Sequence, residues 1–141
     1  MPYKNFINQT YLDEIVKIVA DLESFGMYTI VDLHQDVMSS KFEAYDGVPL
    51  WVLDEIPKSI FKYPWPLTDP SAKSFFAGYL TEACGHAFQC LYDNCNGFED
   101  YFHQYWSIIA KTFANNTAIL GYELINEPWA GMYLDRSFID N

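Results

Sequence analysis

An α/β fold built on parallel strands is the class this sequence predicts, and three observations predict it. Two short runs, Tyr28 to Leu33 and Ile119 to Ile125, are rich in β-branched and aromatic residues and nearly continuous in apolarity, as strands buried on both faces are. A helical pattern closed by a glycine precedes the first run, and two further helical patterns separate the pair. Both runs end abruptly in polar residues, His34-Gln35-Asp36 and Asn126-Glu127-Pro128-Trp129.

Taken in order, Thr10 followed by Asp13 and Glu14 predicts a helix N-cap, after which Leu12, Ile15, Val16, Val19 and Leu22 fall on one stripe. Gly26 sits where that helix should stop. From His34 to about Asp69 no period holds. Prolines 49, 57, 64 and 66 alternate there with Trp51, Leu53, Phe61, Tyr63 and Trp65. A loop of that length is functional or disordered, and its aromatic density favours function. A second helix is predicted from Ala72 to about Asp93, ended by Asn94 to Gly97. A third carries Phe98, Tyr101, Phe102, Tyr105, Trp106, Ile109 and Phe113 on its apolar face, closed by Asn115-Asn116. Two parallel strands cannot make a sheet covered on both faces, so the pattern asks for more strands than it supplies. Residues 1–141 are expected to be a fragment of a single larger α/β domain.

Composition narrows the classes. The 141 residues are 50% hydrophobic and 18% aromatic, enough for one core, which excludes a wholly disordered chain. Eight basic against 19 acidic side chains leave a net charge of −11, which argues against electrostatic binding to nucleic acid or anionic lipid. No apolar run approaches the roughly 18–20 residues of a transmembrane helix, and no apolar stretch follows Met1 to Asn5 as in a signal peptide. Cys84, Cys90 and Cys95 share a window with His86, but their spacing fits no common zinc ribbon. A disulfide with one thiol left over fits the count better. Asn8-Gln9-Thr10 and Asn115-Asn116-Thr117 match the N-glycosylation pattern, pointing to a secreted or endomembrane setting.

In parallel α/β folds the chemistry lies at the carboxyl ends of the strands. A carboxylate there, beside an amide and an aromatic ring, suits sugars: glycoside hydrolysis needs one carboxylic acid to protonate the leaving oxygen and a second carboxylate opposite. Glu127 is the candidate acid, Asn126 can bond a sugar hydroxyl, and Trp129 can stack on a sugar ring. Each has a plainer reading. His34 can cap its strand, Asp32 can sit in a structural ion pair, and Trp51 and Trp65 can anchor a loop. Their joint placement at two consecutive strand ends favours the chemical reading.

At these residues the sequence resembles glycoside hydrolase family 5, the cellulase A family. Ile119 to Gly131 resembles its fourth strand and Val31 to Val37 its third. With Gly47-x-Pro49-x-Trp51 added, the combination is similar to the endoglycoceramidase branch, and the likeness runs from about Asn8 to Met132. The resemblance implies part of a (β/α)8 TIM barrel and retaining hydrolysis of glycosphingolipids, either between glycan and ceramide or at glucosylceramide. It implies Glu127 as acid/base, Asn126 at the sugar 2-hydroxyl, and His34 and Asp36 at the cleavage subsite, with no metal and no organic cofactor. The partner implied is a glycolipid or oligosaccharide substrate. The aromatic loop from Trp51 to Trp65 is expected to face the lipid. The family's nucleophile, a second Glu ending the seventh strand, has no counterpart here, nor do the first two strands. The 141 residues alone are therefore expected to be inactive and poorly folded. A family 5 β-glucanase or cellulase, and a non-catalytic glycan- or glycolipid-binding remnant, are the alternative expectations.

Overall fold

The computed structural model describes residues 3–69 and 75–133. Helix α1 spans Gln9–Ser24. Its cap is Asn8 rather than Thr10: the Asn8 side chain accepts the Tyr11 backbone N–H at 3.1 Å. Asn is among the strongest N-caps, and its short side chain reaches the first free amides, so the helix starts earlier than the Thr10 signal implied. Leu12, Ile15 and Val19 turn inward as the stripe predicts, while Val16 lies exposed. Gly26, at φ 75°, takes the left-handed turn that ends the helix.

Strands β1 (Thr29–Asp32) and β2 (Ile119–Glu123) pair in parallel, Thr29 opposite Ile119 and Asp32 opposite Glu123, with one irregularity after Thr29. Two bonds continue the pairing past the ladder: Leu33 N–H to the Glu123 carbonyl at 3.1 Å, and Asn126 N–H to the Leu33 carbonyl at 3.2 Å. Parallel pairing sends both chains out at the same end, so these bonds set residues 33–38 beside residues 124–129. Burial on both faces, expected from the apolar runs, is not what forms. Val31 and Ile119 pack against Val19, Trp106, Ile109 and Phe113, whereas Ile30 and Leu120 lie exposed. The helices cover one face, and among the described residues no element covers the other.

The segment after β1 is more ordered than its lack of period suggested. A 3₁₀ turn occupies Ser40–Phe42, and helix α2 spans Leu50–Glu55 behind Pro49. Val52 and Leu53 are buried, and Trp51 meets the Tyr101 ring edge-on at 5.0 Å, so this part of the loop belongs to the core. Phe61 and Trp65 stack on each other at 4.0 Å.

The helix predicted from Ala72 to Asp93 is divided, and its residues 72–74 lie outside the described residues. Phe75–Leu80 is 3₁₀, and α3 proper spans Glu82–Tyr92. Thr81 makes the break. Its hydroxyl donates to the Gly78 carbonyl at 2.6 Å and accepts the Cys84 N–H at 3.3 Å, which is N-cap behaviour. Helix α4 spans Phe98–Phe113 as the periodicity predicts, with Asn94 accepting the Glu99 N–H at 2.9 Å. Phe88, wholly buried, centres a second core with Val37, Met38, Leu53, Tyr79 and Phe98.

The expected disulfide does not form among Cys84, Cys90 and Cys95, and Cys90 Sγ lies 3.5 Å from His86 Nε2. Cys84 and Cys90 stand six residues apart on α3, too far round the axis to share a face. Burial pushes the Cys84 thiol strongly up, which keeps it protonated. Among the described residues no helix is long and apolar enough to cross a membrane.

Candidate active site

His34 follows β1 directly. Its Nδ1 lies 2.8 Å from Asp32 Oδ2, and its Nε2 lies 3.8 Å from Asp36 Oδ2. The plainer reading of Asp32, an ion-pair partner, therefore describes its contact, and that contact orients the His34 ring. The bond to Asp32 holds the His34 pKa above the usual 6.5, helped by the charges of Asp32, Asp36 and Asp46 and opposed by desolvation. A raised histidine stabilises the fold below its unfolded pKa and loses that contribution as pH climbs through the folded value. The His34 imidazole is expected to titrate above pH 6.5 by NMR, and Asp32→Asn to bring the midpoint down. A wild-type midpoint at or below 6.5 would rule out the Asp32 bond.

Asp36 is buried, and its backbone N–H is held by Asp46 Oδ1 at 2.9 Å. Among the described residues, His34, Asp36 and Asp46 are the donors that converge, their ligand atoms within 4.8 Å of one another. Val37 and Met38 then run through left-handed backbone, at φ 54° and 67°. Such conformations are rare for a β-branched residue and collect where a fold needs a fixed turn. Gly47 makes room for it: a Cβ there would stand 2.4 Å from the Met38 carbonyl oxygen.

At the end of β2, Asn126 is half-buried and Glu127 exposed, the latter also left-handed at φ 36°. The Asn126 side-chain amide donates to the Gln35 carbonyl at 3.0 Å. Gln35 answers from the other side. Its Nε2 lies 2.5 Å from the Asn126 carbonyl, 3.4 Å from the Glu127 carbonyl and 3.2 Å from the Tyr79 hydroxyl, and its Oε1 accepts the Met38 N–H at 2.7 Å. Gln35 belongs to the motif read from the sequence but was given no role there. Its only sequence signal is a long amide sitting between two residues of chemical interest.

Trp129 is turned towards the interior. Its ring lies 5.6 Å from that of Tyr79 at 31°, and its carbonyl accepts the Tyr92 hydroxyl. His34, Asp36, Asn126 and Glu127 thus share one end of the sheet, with Trp129 behind them. A cavity of about 380 Å³ opens beside His34, walled by Asp32, Trp51, Tyr101, Tyr105 and Ile125, and Glu127 is not part of its wall.

A family model described as cellulase (glycosyl hydrolase family 5) matches residues 2–133. The chain belongs to glycosyl hydrolase family 5. Within the family it is similar to an endoglycoceramidase of Hydra vulgaris, 38% identical over 93% of this chain and 28% of that one. It is also 36% identical to an endoglycoceramidase of Cyanea nozakii, over 99% of this chain and 30% of that one. Among solved structures it resembles endo-glycoceramidase II from Rhodococcus sp. in a cellobiose-like imidazole complex. The TM-score is 0.72 at 24% identity, over 92% of this chain and 30% of that one. The family 5 chain thus spans less than a third of the length of these relatives, and its fold is part of a (β/α)8 barrel.

Proposed function

We propose that these residues belong to the catalytic barrel of a retaining glycoside hydrolase acting on glycosphingolipids, with Glu127 as its acid/base. The observation that carries the reading is the juxtaposition at the sheet's carboxyl end. Glu127 follows Asn126 out of β2 while His34 and Asp36 leave β1 beside them, joined by hydrogen bonds through Gln35. In the glycosylation step Glu127 gives its proton to the oxygen leaving the sugar. A second carboxylate, roughly 5–5.5 Å away and supplied from outside these 141 residues, attacks the anomeric carbon from the other face. In the second step Glu127 takes a proton from water as that water displaces the enzyme carboxylate. His34, Asp36 and Asn126 hold the sugar hydroxyls by hydrogen bonds, and Trp129, packed beside Tyr79, backs the strand end from which Glu127 leaves. No step needs a metal or an organic cofactor.

The substrate class rests on the two relatives of 38% and 36% identity, both named endoglycoceramidases. The exposed part of the aromatic loop, Ile60 and Trp65, is the stretch we assign to the lipid side. A secretory or endomembrane setting is supported by the acceptor pattern at Asn115, which stands exposed in the turn after α4. The test is hydrolysis by the complete natural gene product of lactosylceramide and glucosylceramide, against soluble β-1,4- and β-1,3-glucans. Release of free ceramide, with little reducing sugar from either glucan, is expected. The reverse order would make the protein a polysaccharide hydrolase. Binding of glycolipid without turnover would make it a lectin-like remnant.

A further inference from the structure

We propose that Gln35 is a positioning residue that fixes Glu127 for proton transfer by clamping the two strand-end turns together. The inference rests on the proposed role of Glu127 and goes beyond it, to what holds that side chain in place. Glu127 stands in left-handed backbone that L residues adopt reluctantly, and so do Val37 and Met38 on the neighbouring strand exit. Strained turns persist only where surrounding bonds over-determine them.

One side chain supplies those bonds on both exits. The donor end of the Gln35 amide faces the carbonyls of Asn126 and Glu127, and its acceptor end takes the Met38 N–H. Asn126 returns a bond to the Gln35 backbone carbonyl, so the two exits are tied in both directions. Gln35 is 0% exposed and Tyr79, whose hydroxyl shares the amide nitrogen, is 2% exposed, so water cannot replace these bonds. Only a primary amide of this length meets the need. An ionised glutamate has no donor for the two carbonyls and a protonated one has a single donor, methionine has neither function, and asparagine is one methylene short.

The test uses the complete natural protein with Gln35→Glu and Gln35→Met, and two substrates that differ in their need for an acid. Ceramide leaves as a poorly stabilised alkoxide and must be protonated, whereas 2,4-dinitrophenolate leaves unaided. Loss of a positioned general acid costs about 10²-fold or more. A fall of about 100-fold in kcat/KM on lactosylceramide, with little change in the glycosylation rate of 2,4-dinitrophenyl lactoside, is therefore expected of both variants. Equal losses on the two substrates would overturn the proposal, because a general loss of folded protein lowers both alike. Amide hydrogen exchange provides a readout independent of turnover. Exchange should quicken at residues 36–39 and 125–129 and stay unchanged in α4, and unchanged exchange at the two turns would overturn the clamp. Should the wild-type protein cleave neither substrate, the glycosidase reading fails, while the exchange data still decide whether Gln35 holds the turns.

Discussion

Replacing Glu127 with glutamine in the complete natural protein is expected to lower kcat on lactosylceramide by about 10³-fold, within the range a general acid commands, with KM moved little. The reasoning is steric and chemical. Glutamine keeps the shape of the side chain, and the Glu127 carbonyl that faces Gln35 is backbone and survives the exchange. Glu127 itself is exposed at the end of β2, so no core packing is lost with its charge. What disappears is a proton that can be given to the departing oxygen and later recovered from water. Binding that is equal in ground and transition states is left alone, so the loss falls on kcat. A second variant, Glu127→Gly, sharpens the test. On 2,4-dinitrophenyl lactoside its first step needs no acid, and the enzyme stalls at the covalent intermediate for want of a base. Azide, which attacks without base assistance, should restore turnover and give a glycosyl azide of retained configuration. Retention of more than about a tenth of wild-type kcat by Glu127→Gln on the glycolipid would remove Glu127 from the acid/base role, as would failure of azide to accelerate Glu127→Gly.

How much of this site could be read from the letters depends on which physical rule governs each residue. The apolar runs that become β1 and β2 and the 3.6-residue spacing of α4 are long, one-signal patterns, and they appear where expected. The polar residues ending those runs mark His34, Asp36, Asn126 and Glu127. Their adjacency then follows from parallel pairing alone, since parallel strands point their carboxyl ends the same way. Features that depend on partners far along the chain were not legible. Gln35 gains its role from residues 91 and 92 positions away, and nothing local announces it. The left-handed backbone at Val37 runs against the residue's own preference, so propensity pointed elsewhere. Thr81 inside a helical pattern was read as a helical residue although its hydroxyl makes it a cap. Trp129, read as a sugar platform, finds the Tyr79 ring beside it, a contact across 50 residues that no motif encodes.

The largest stability effect is expected when the 141 residues are produced alone. They should give a broad, non-cooperative thermal transition, bind a hydrophobic dye and associate, rather than melt sharply as a monomer. On the sheet face away from the helices, Ile30 is 56% exposed and Leu120 is 69% exposed, and Leu124, just beyond β2, is 56% exposed. Burying a side chain of this size is worth about 1.5–3 kcal/mol, comparable in sum to the 5–15 kcal/mol net stability of an ordinary domain. β1 and β2 pair only with each other among the described residues, so each presents one unpaired edge of backbone donors and acceptors. Such edges recruit other chains. Among the described residues the core beneath the helix-covered face is built on Val19, Trp106, Ile109 and Phe113, and the larger core around Phe88 lies under the loops and α3 rather than under the sheet. The segment therefore has local order that the helices maintain and an open sheet face that only further strands can close. Circular dichroism should keep much of its helical signal through the range where near-ultraviolet signals from the aromatic residues are already lost. A single sharp transition, coincident in both signals and independent of concentration, would mean that β1, β2 and the helices beside them close their own core, against the exposure of Ile30, Leu120 and Leu124.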